Sequence, residues 1–149
     1  MEISVKINQT YHEDLVELLS TALEGSGVFS ARLLPSFAML ETRKEGETFY
    51  EKLANVIHYG GQVAIVDKEA CGLTHGPNKA VSSELLPTED VEYRLSLEGV
   101  RNGIKLALEG HDARAKKAVH HFLANDESFD SDCADVLLQM CLFGEVVYG

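Results

Sequence analysis

The stretch from Asp130 to Gly149, DSDCADVLLQMCLFGEVVYG, decides the fold of this chain. Asp130 or Ser131 is a suitable helix N-cap, and Gly144 is a suitable helix stop. Between them, polar side chains recur only at spacings of three and four residues, in one narrow stripe of Asp132, Asp135 and Gln139. The rest of the helix is apolar, so we expect it to be buried nearly all round. The alternation in residues 145–148 then predicts a short final strand.

Hydrophobic periodicity predicts further helices and strands before this helix. Capping residues and apolar spacing indicate helices at residues 11–24, about 49–57, 97–109 and 112–123. Alternating or short β-branched runs indicate strands at residues 3–7, about 28–33, 62–67 and 91–95, with a weaker extended piece near 38–40. Residues 68–90 are rich in glycine and proline and predict a long loop or an insertion. The predicted fold class is α+β: one compact domain over residues 1–149, with a small mixed or antiparallel sheet, four to five helices and a buried C-terminal helix.

Composition limits the possible classes of function. A chain of 149 residues with 45% hydrophobic and 25% charged residues has the size and composition of one globular domain. No apolar run approaches the roughly 18 residues of a membrane span, and the first ten residues lack the features of a secretory signal, so we expect a cytoplasmic protein with no membrane partner. The net charge of -11 would repel a phosphate backbone, which argues against nucleic-acid binding. Such a charge favours either solubility or a basic protein partner.

Residues that could bind metal are present but lack a metal-binding pattern. The cysteines, Cys71, Cys133 and Cys141, have no CxxC spacing and are predicted to be buried as small hydrophobes. The acidic cluster before the last helix lacks the glycine and the glutamate of a calcium loop, and helix capping explains most of it: Asp126, Glu127, Asp130, Asp132 and Asp135. The adjacent His120 and His121 would point about 100° apart on a helix. We predict no metal and no cofactor.

Two segments resemble a known family. Residues 21–26 are TALEGS, and residues 134–149 are ADVLLQMCLFGEVVYG. They resemble an early TALEGG-type motif and a closing ADxxxQxxxFGExVxG motif in a family of small uncharacterised proteins from tailed bacteriophages and prophages. Residues 61–67 and 93–108 also fit the family pattern, whereas residues 27–29 and the length of 68–90 depart from it. The resemblance implies a phage-encoded protein in the host cytoplasm and gives no activity.

Asp135 and Gln139 are the polar residues of the last helix that need an explanation, because they lie one turn apart on an otherwise apolar surface. In one interpretation they grip a ligand or a facing loop. In the other they satisfy backbone groups, such as those of the turn at residues 25–29. Both place them near the early motif, with Arg32 available for an anion. The candidate ligand- or partner-binding residues are therefore Glu24, Gly25, Ser26, Phe29, Arg32, Asp135 and Gln139.

The functional hypothesis is an accessory binding protein, of a counter-defence kind, that captures a host protein or a small signalling nucleotide. One alternative is a small hydrolase or nucleotide-modifying enzyme that uses Asp135, His75 or the acidic cluster. Another is a non-catalytic structural protein that forms homo-oligomers. The chain has no GxSxG, P-loop or paired-carboxylate motif, and Cys71 and His75 are close only within a loop. The hypothesis therefore leans away from an enzyme and names no catalytic residue.

Overall fold

A computed structural model describes residues 12–40, 47–69 and 78–148 of the chain. Its five helices are α1 (His12–Leu23), α2 (Phe49–His58), α3 (Leu97–Glu109), α4 (Ala113–Ala124) and α5 (Ser131–Phe143). Its four strands are β1 (Phe29–Arg32), β2 (Val63–Asp67), β3 (Ser82–Leu85) and β4 (Val91–Leu95), and a kinked 3₁₀ helix spans Pro35–Leu40. These elements form a single compact α+β domain, which confirms the predicted fold class.

The four strands form one antiparallel sheet in the order β1-β2-β4-β3. Phe29 on β1 lies opposite Asp67 on β2, and Ile65 lies opposite Tyr93 on β4. Because side chains alternate between the faces of a strand, these four residues share one face of the sheet. All four are buried, so this is the face that packs on the core.

Helix α5 lies at the centre of the domain. It packs against α1, α3 and α4 and also reaches β4. Its buried residues surround the helix, as the apolar sequence predicts: Cys133, Ala134, Leu137, Leu138, Gln139, Met140, Cys141, Leu142 and Phe143. Asp130 is the N-cap and Gly144 the left-handed C-cap, so both predicted ends are confirmed. None of the helices in the described ranges has the length and apolar character needed to cross a bilayer.

Glycine allows α3 to approach α5 closely. Gly99 and Gly103 each lower the helix propensity of α3 by about 1 kcal/mol relative to alanine. A Cβ atom at Gly103, however, would lie 2.6 Å from the Cα of Cys141, which is backbone that cannot move aside. The residue that weakens α3 as an isolated helix is therefore the one that permits its contact with α5.

Three local predictions differ from the structure. Residues 82–85, inside the predicted loop, form strand β3, which pairs with β4 alone at the edge of the sheet. The extended piece expected near residues 38–40 lies instead in the 3₁₀ helix. Residues 145–148 form no strand. The predicted strand at residues 3–7 lies outside the described residues.

Candidate functional site

The early turn satisfies its own backbone groups. Gly25 takes the left-handed conformation, with φ of 76°, that commonly ends a helix such as α1. The hydroxyl of Ser26 accepts hydrogen bonds from the amides of Val28, at 3.2 Å, and Phe29, at 3.0 Å. The side chain of Gln139 bonds to Asp135 and to residues 147 and 148, so the suggestion that this pair serves the backbone of the turn is wrong.

Gln139 instead holds the residues that follow α5. Its side-chain oxygen accepts hydrogen bonds from the amides of Val147, at 2.7 Å, and Tyr148, at 2.8 Å. Its side-chain nitrogen donates to the carbonyl of Tyr148 and to Oδ2 of Asp135, at 3.1 and 2.8 Å. Because these four bonds use the full capacity of the amide, the contacts support the structural interpretation of the pair. They also explain why residues 147 and 148 need no neighbouring strand.

The strand that follows the early motif contacts the closing motif through aromatic rings. The ring centroid of Phe29 lies 6.1 Å from that of Phe143 and 6.1 Å from that of Tyr148. Tyr93 of β4 packs edge-on against Phe143 at 5.3 Å. Such distances suit tilted aromatic contacts. Phe29, three residues after the early motif, therefore lies against the closing motif through apolar packing.

Beside this aromatic cluster lies a buried carboxyl group. The hydroxyl of Tyr148 is 2.8 Å from Oδ2 of Asp67 and 2.9 Å from the carbonyl oxygen of Glu69. A phenol has one proton to donate and a carbonyl can only accept, so Tyr148 makes two full hydrogen bonds here only when Asp67 donates a proton to it. With an ionised Asp67 the single proton of Tyr148 is shared between two acceptors. Asp67 is fully buried, and this burial raises its pKa. Burial and the neighbouring Asp67 also raise the pKa of Tyr93 to about 12.

Arg32, expected to be available for an anion, already has an internal partner. Its Nε and Nη2 atoms donate to the carboxylate of Glu92 at 2.9 to 3.2 Å. Glu92 is only 2% exposed, and Arg94 also contacts it at 2.9 Å. Since a buried carboxylate needs such partners, the first role of Arg32 is to compensate the charge of Glu92.

One acidic residue at the start of α5 is a helix cap. Asp130 accepts from the amide of Cys133 at 2.9 Å, and this bond lowers its pKa. The capping explanation is therefore confirmed for Asp130. Asp126 instead follows the C-cap of α4, where it contacts His121 and accepts from the amide of Ser128 in the loop. Among the described residues, no three potential ligand side chains are grouped closely enough to hold a metal ion.

The remaining candidates have simple environments. Glu24 is exposed, and Asp135 is partly buried, which raises its pKa. Cys133 and Cys141 are buried free thiols, as predicted, whereas Cys71 and His75 lie outside the described residues. The role of the seven candidates in binding a ligand stays a prediction.

A groove that the sequence did not reveal lies where three helix ends meet. It has a volume of about 450 Å³, within the range of roughly 300–1,000 Å³ that is common for ligand sites. It is lined by the last turn of α3, the first turn of α4 and the end of α5. The residues that line it are Leu106, Ala107, Glu109, Gly110, His111, Asp112, Ala115, Met140, Gly144, Glu145 and Val146. We call it the acidic groove.

The charged residues of the acidic groove have one sign. Its described lining includes Glu109, Asp112 and Glu145, together with His111, and contains no lysine or arginine. Asp112 accepts hydrogen bonds from the amides of Arg114 and Ala115, which offsets the positive end of the α4 dipole, and its Oδ2 atom lies 3.5 Å from Nη2 of Arg114. The lining carboxylates without a cationic partner among the described residues are therefore Glu109 and Glu145. The ends of α3 and α5 contribute partial negative charge, because they are helix C-termini. The groove is therefore suited to a cation.

No sequence signal marks this groove, because its residues come from three segments with the ordinary composition of helix ends.

No protein-family model matches the chain, and no curated protein or solved structure matches it.

Proposed function

We propose that the chain is a phage-encoded accessory binding protein that captures a host protein through the acidic groove. The observation that carries this proposal is the groove itself, whose lining combines apolar side chains with Glu109 and Glu145, two exposed carboxylates that have no cationic partner among the described residues. Specific binding sites commonly combine an apolar surface with a few placed polar groups.

The charge of the groove favours a protein over a signalling nucleotide. Phosphate groups would meet Glu109, Asp112 and Glu145, and like charges brought together at a contact cost binding energy. The chain as a whole has a net charge of -11, which would also repel a nucleotide and attract a basic protein. Of the two ligands considered from the sequence, the host protein is therefore the one we propose.

The phage setting and the counter-defence role are part of the proposal. They rest on the resemblance of residues 21–26 and 134–149 to proteins of tailed bacteriophages. A small protein that acts by occupying a host protein needs a binding surface and no catalytic group, and the acidic groove is such a surface.

Affinity capture from a bacterial host lysate tests the proposal. The tagged wild-type protein is compared with the double variant Glu109→Gln and Glu145→Gln, and captured proteins and metabolites are both identified by mass spectrometry. A matched double variant, Glu84→Gln and Glu127→Gln, removes the same charge from exposed positions outside the groove. Glu127 lies beyond the opposite end of α4 from the groove.

We expect one or more proteins to be enriched by the wild type and by the matched variant, and to be lost with the groove variant. Retention of a nucleotide without any enriched protein would contradict the proposed partner class. Equal recovery by all three proteins would show that the groove is not the binding surface.

A further inference from the structure

We infer that the acidic groove takes an arginine or lysine side chain from an extended segment of the partner, flanked by apolar residues. This inference rests on the proposed function and adds the chemistry of the element that is recognised.

Two exposed carboxylates are available for the cationic group. Glu109 ends α3, Glu145 follows the cap of α5, and both belong to the lining of the groove. Both are exposed, and neither is paired with a cation among the described residues. A guanidinium or ammonium group can therefore pair with them without displacing an existing partner. Arginine is favoured, because its planar guanidinium presents several donors in a rigid fork that matches the geometry of a carboxylate.

The apolar part of the groove lining suits the methylene stem of an arginine or lysine. Leu106, Met140 and Val146 present apolar surface to it. The methylene stem of an arginine or lysine buries against apolar surface while its charged head stays in water. Met140 adds adaptability, because an unbranched thioether fills irregular gaps. The same surface accommodates an apolar neighbour of the basic residue.

The arrangement does not suit a bare metal ion. Three carboxylates and a histidine line the groove, but the described residues contain no group of three ligands close enough to hold one ion. Dispersed carboxylates match a cation that is itself extended. A second copy of this chain is also a poor occupant, because two molecules with a charge of -11 each repel one another.

A peptide titration tests this inference directly. The probe is a blocked peptide, Ala-Leu-Arg-Leu-Ala, and its control is the same peptide with glutamine in place of arginine. Binding is followed by amide chemical shifts of the isotopically labelled full-length chain, at millimolar peptide and low salt. The double variant Glu109→Gln and Glu145→Gln is titrated in parallel with the matched variant Glu84→Gln and Glu127→Gln.

We expect the arginine peptide to shift amides of residues 106–115 and 140–146 and the glutamine peptide to bind more weakly. Loss of two exposed ion pairs should weaken binding of the arginine peptide by about two- to thirtyfold in the groove variant. The matched variant should bind as the wild type does, and added salt should weaken the interaction.

Equal affinity for the two peptides, shifts elsewhere on the chain, or no shift at all would overturn the inference. A captured host protein that still depends on the groove would then leave the proposed function standing, with a different recognised element. Self-association that sedimentation detects and that the groove variant removes would instead assign the groove to a second copy.

Discussion

The hydrogen bonds of the Asp67 side chain could not be predicted from the sequence. Tyr148 makes two full hydrogen bonds, with Asp67 and with the carbonyl of Glu69, only when Asp67 is protonated, and complete burial raises the pKa of that carboxyl. Sequence reasoning placed Asp67 at the end of a strand, but it had no means of seeing a hydroxyl that arrives from 81 residues further along the chain.

Replacing Asp67 by asparagine should reduce the loss of stability with rising pH. A carboxyl whose pKa is raised in the folded state contributes stability that is fully present below about pH 4, its ordinary unfolded range, and is lost as the pH rises through the folded pKa. The asparagine side chain mimics the protonated acid at every pH, because its amide can donate to Tyr148 while its oxygen accepts from the amide of Glu69.

Urea unfolding of wild type and Asp67→Asn from pH 4 to pH 8 measures this effect. The stability of the variant relative to the wild type should increase with pH. The difference between the two proteins isolates Asp67 from acids such as Asp112, Asp126 and Asp130, whose lowered pKa values act in the opposite direction. If the stability of the variant relative to the wild type falls as the pH rises, Asp67 is ionised in the folded protein.

Replacing Gln139 by alanine should destabilise the fold by about 1–3 kcal/mol, because a fully buried side chain is removed and the amides of Val147 and Tyr148 lose their acceptor. Asp132→Asn, an exposed change on the same helix, should stay within about 0.5 kcal/mol of the wild type. Chemical unfolding of both variants measures the difference. Equal stabilities would mean that the hydrogen bonds of Gln139 contribute nothing to the stability of the fold.

At the scale of the elements, what the sequence could predict was set by how local the signal is. The N-caps of α3, α4 and α5 are Ser96, Asp112 and Asp130, and the side chain of each accepts a hydrogen bond from a backbone amide of its helix. Such signals lie within a few residues, so the helix limits were predicted closely. Strand β3 is mostly exposed and pairs on one side only, and nothing in its sequence, SSEL, distinguishes it from a loop.

The effect of Gly103 on α3 could not be predicted from the sequence, because it depends on α5. Helix propensity alone predicts that Gly103→Ala stabilises the protein by about 1 kcal/mol. The backbone of Cys141 stands in the way of the new methyl group, so we expect a net loss of about 1–3 kcal/mol instead.

Thermal or chemical unfolding of Gly103→Ala and Gly99→Ala provides a matched comparison. At Gly99 the atom nearest to a new Cβ is a side-chain methyl of Val81, at 2.8 Å, which can move more readily than backbone. Gly99→Ala should therefore cost less. A stabilised Gly103→Ala variant would contradict the close α3–α5 packing.

At the scale of the whole molecule, the fold class followed from patterns along the chain, whereas the acidic groove did not. Apolar periodicity and the nearly all-apolar α5 were sufficient to predict an α+β domain built around that helix. The groove is assembled from residues 106–115 and 140–146, whose charges have ordinary explanations when each segment is considered alone. Only the fold brings these segments together into one groove, which is lined by apolar side chains and carboxylates.

The amounts of partner protein that two double variants recover give the sharpest test of the proposal that this groove binds a basic protein partner. Recovery of the partner from lysate is measured with Glu109→Gln and Glu145→Gln, and again with Glu84→Gln and Glu127→Gln, at low and at high salt. We expect a marked loss of the partner with the groove variant alone. The loss should be smaller at high salt, where screening weakens the ion pairs that the wild type and the matched variant make. Equal recovery with both variants at low salt would contradict the proposal.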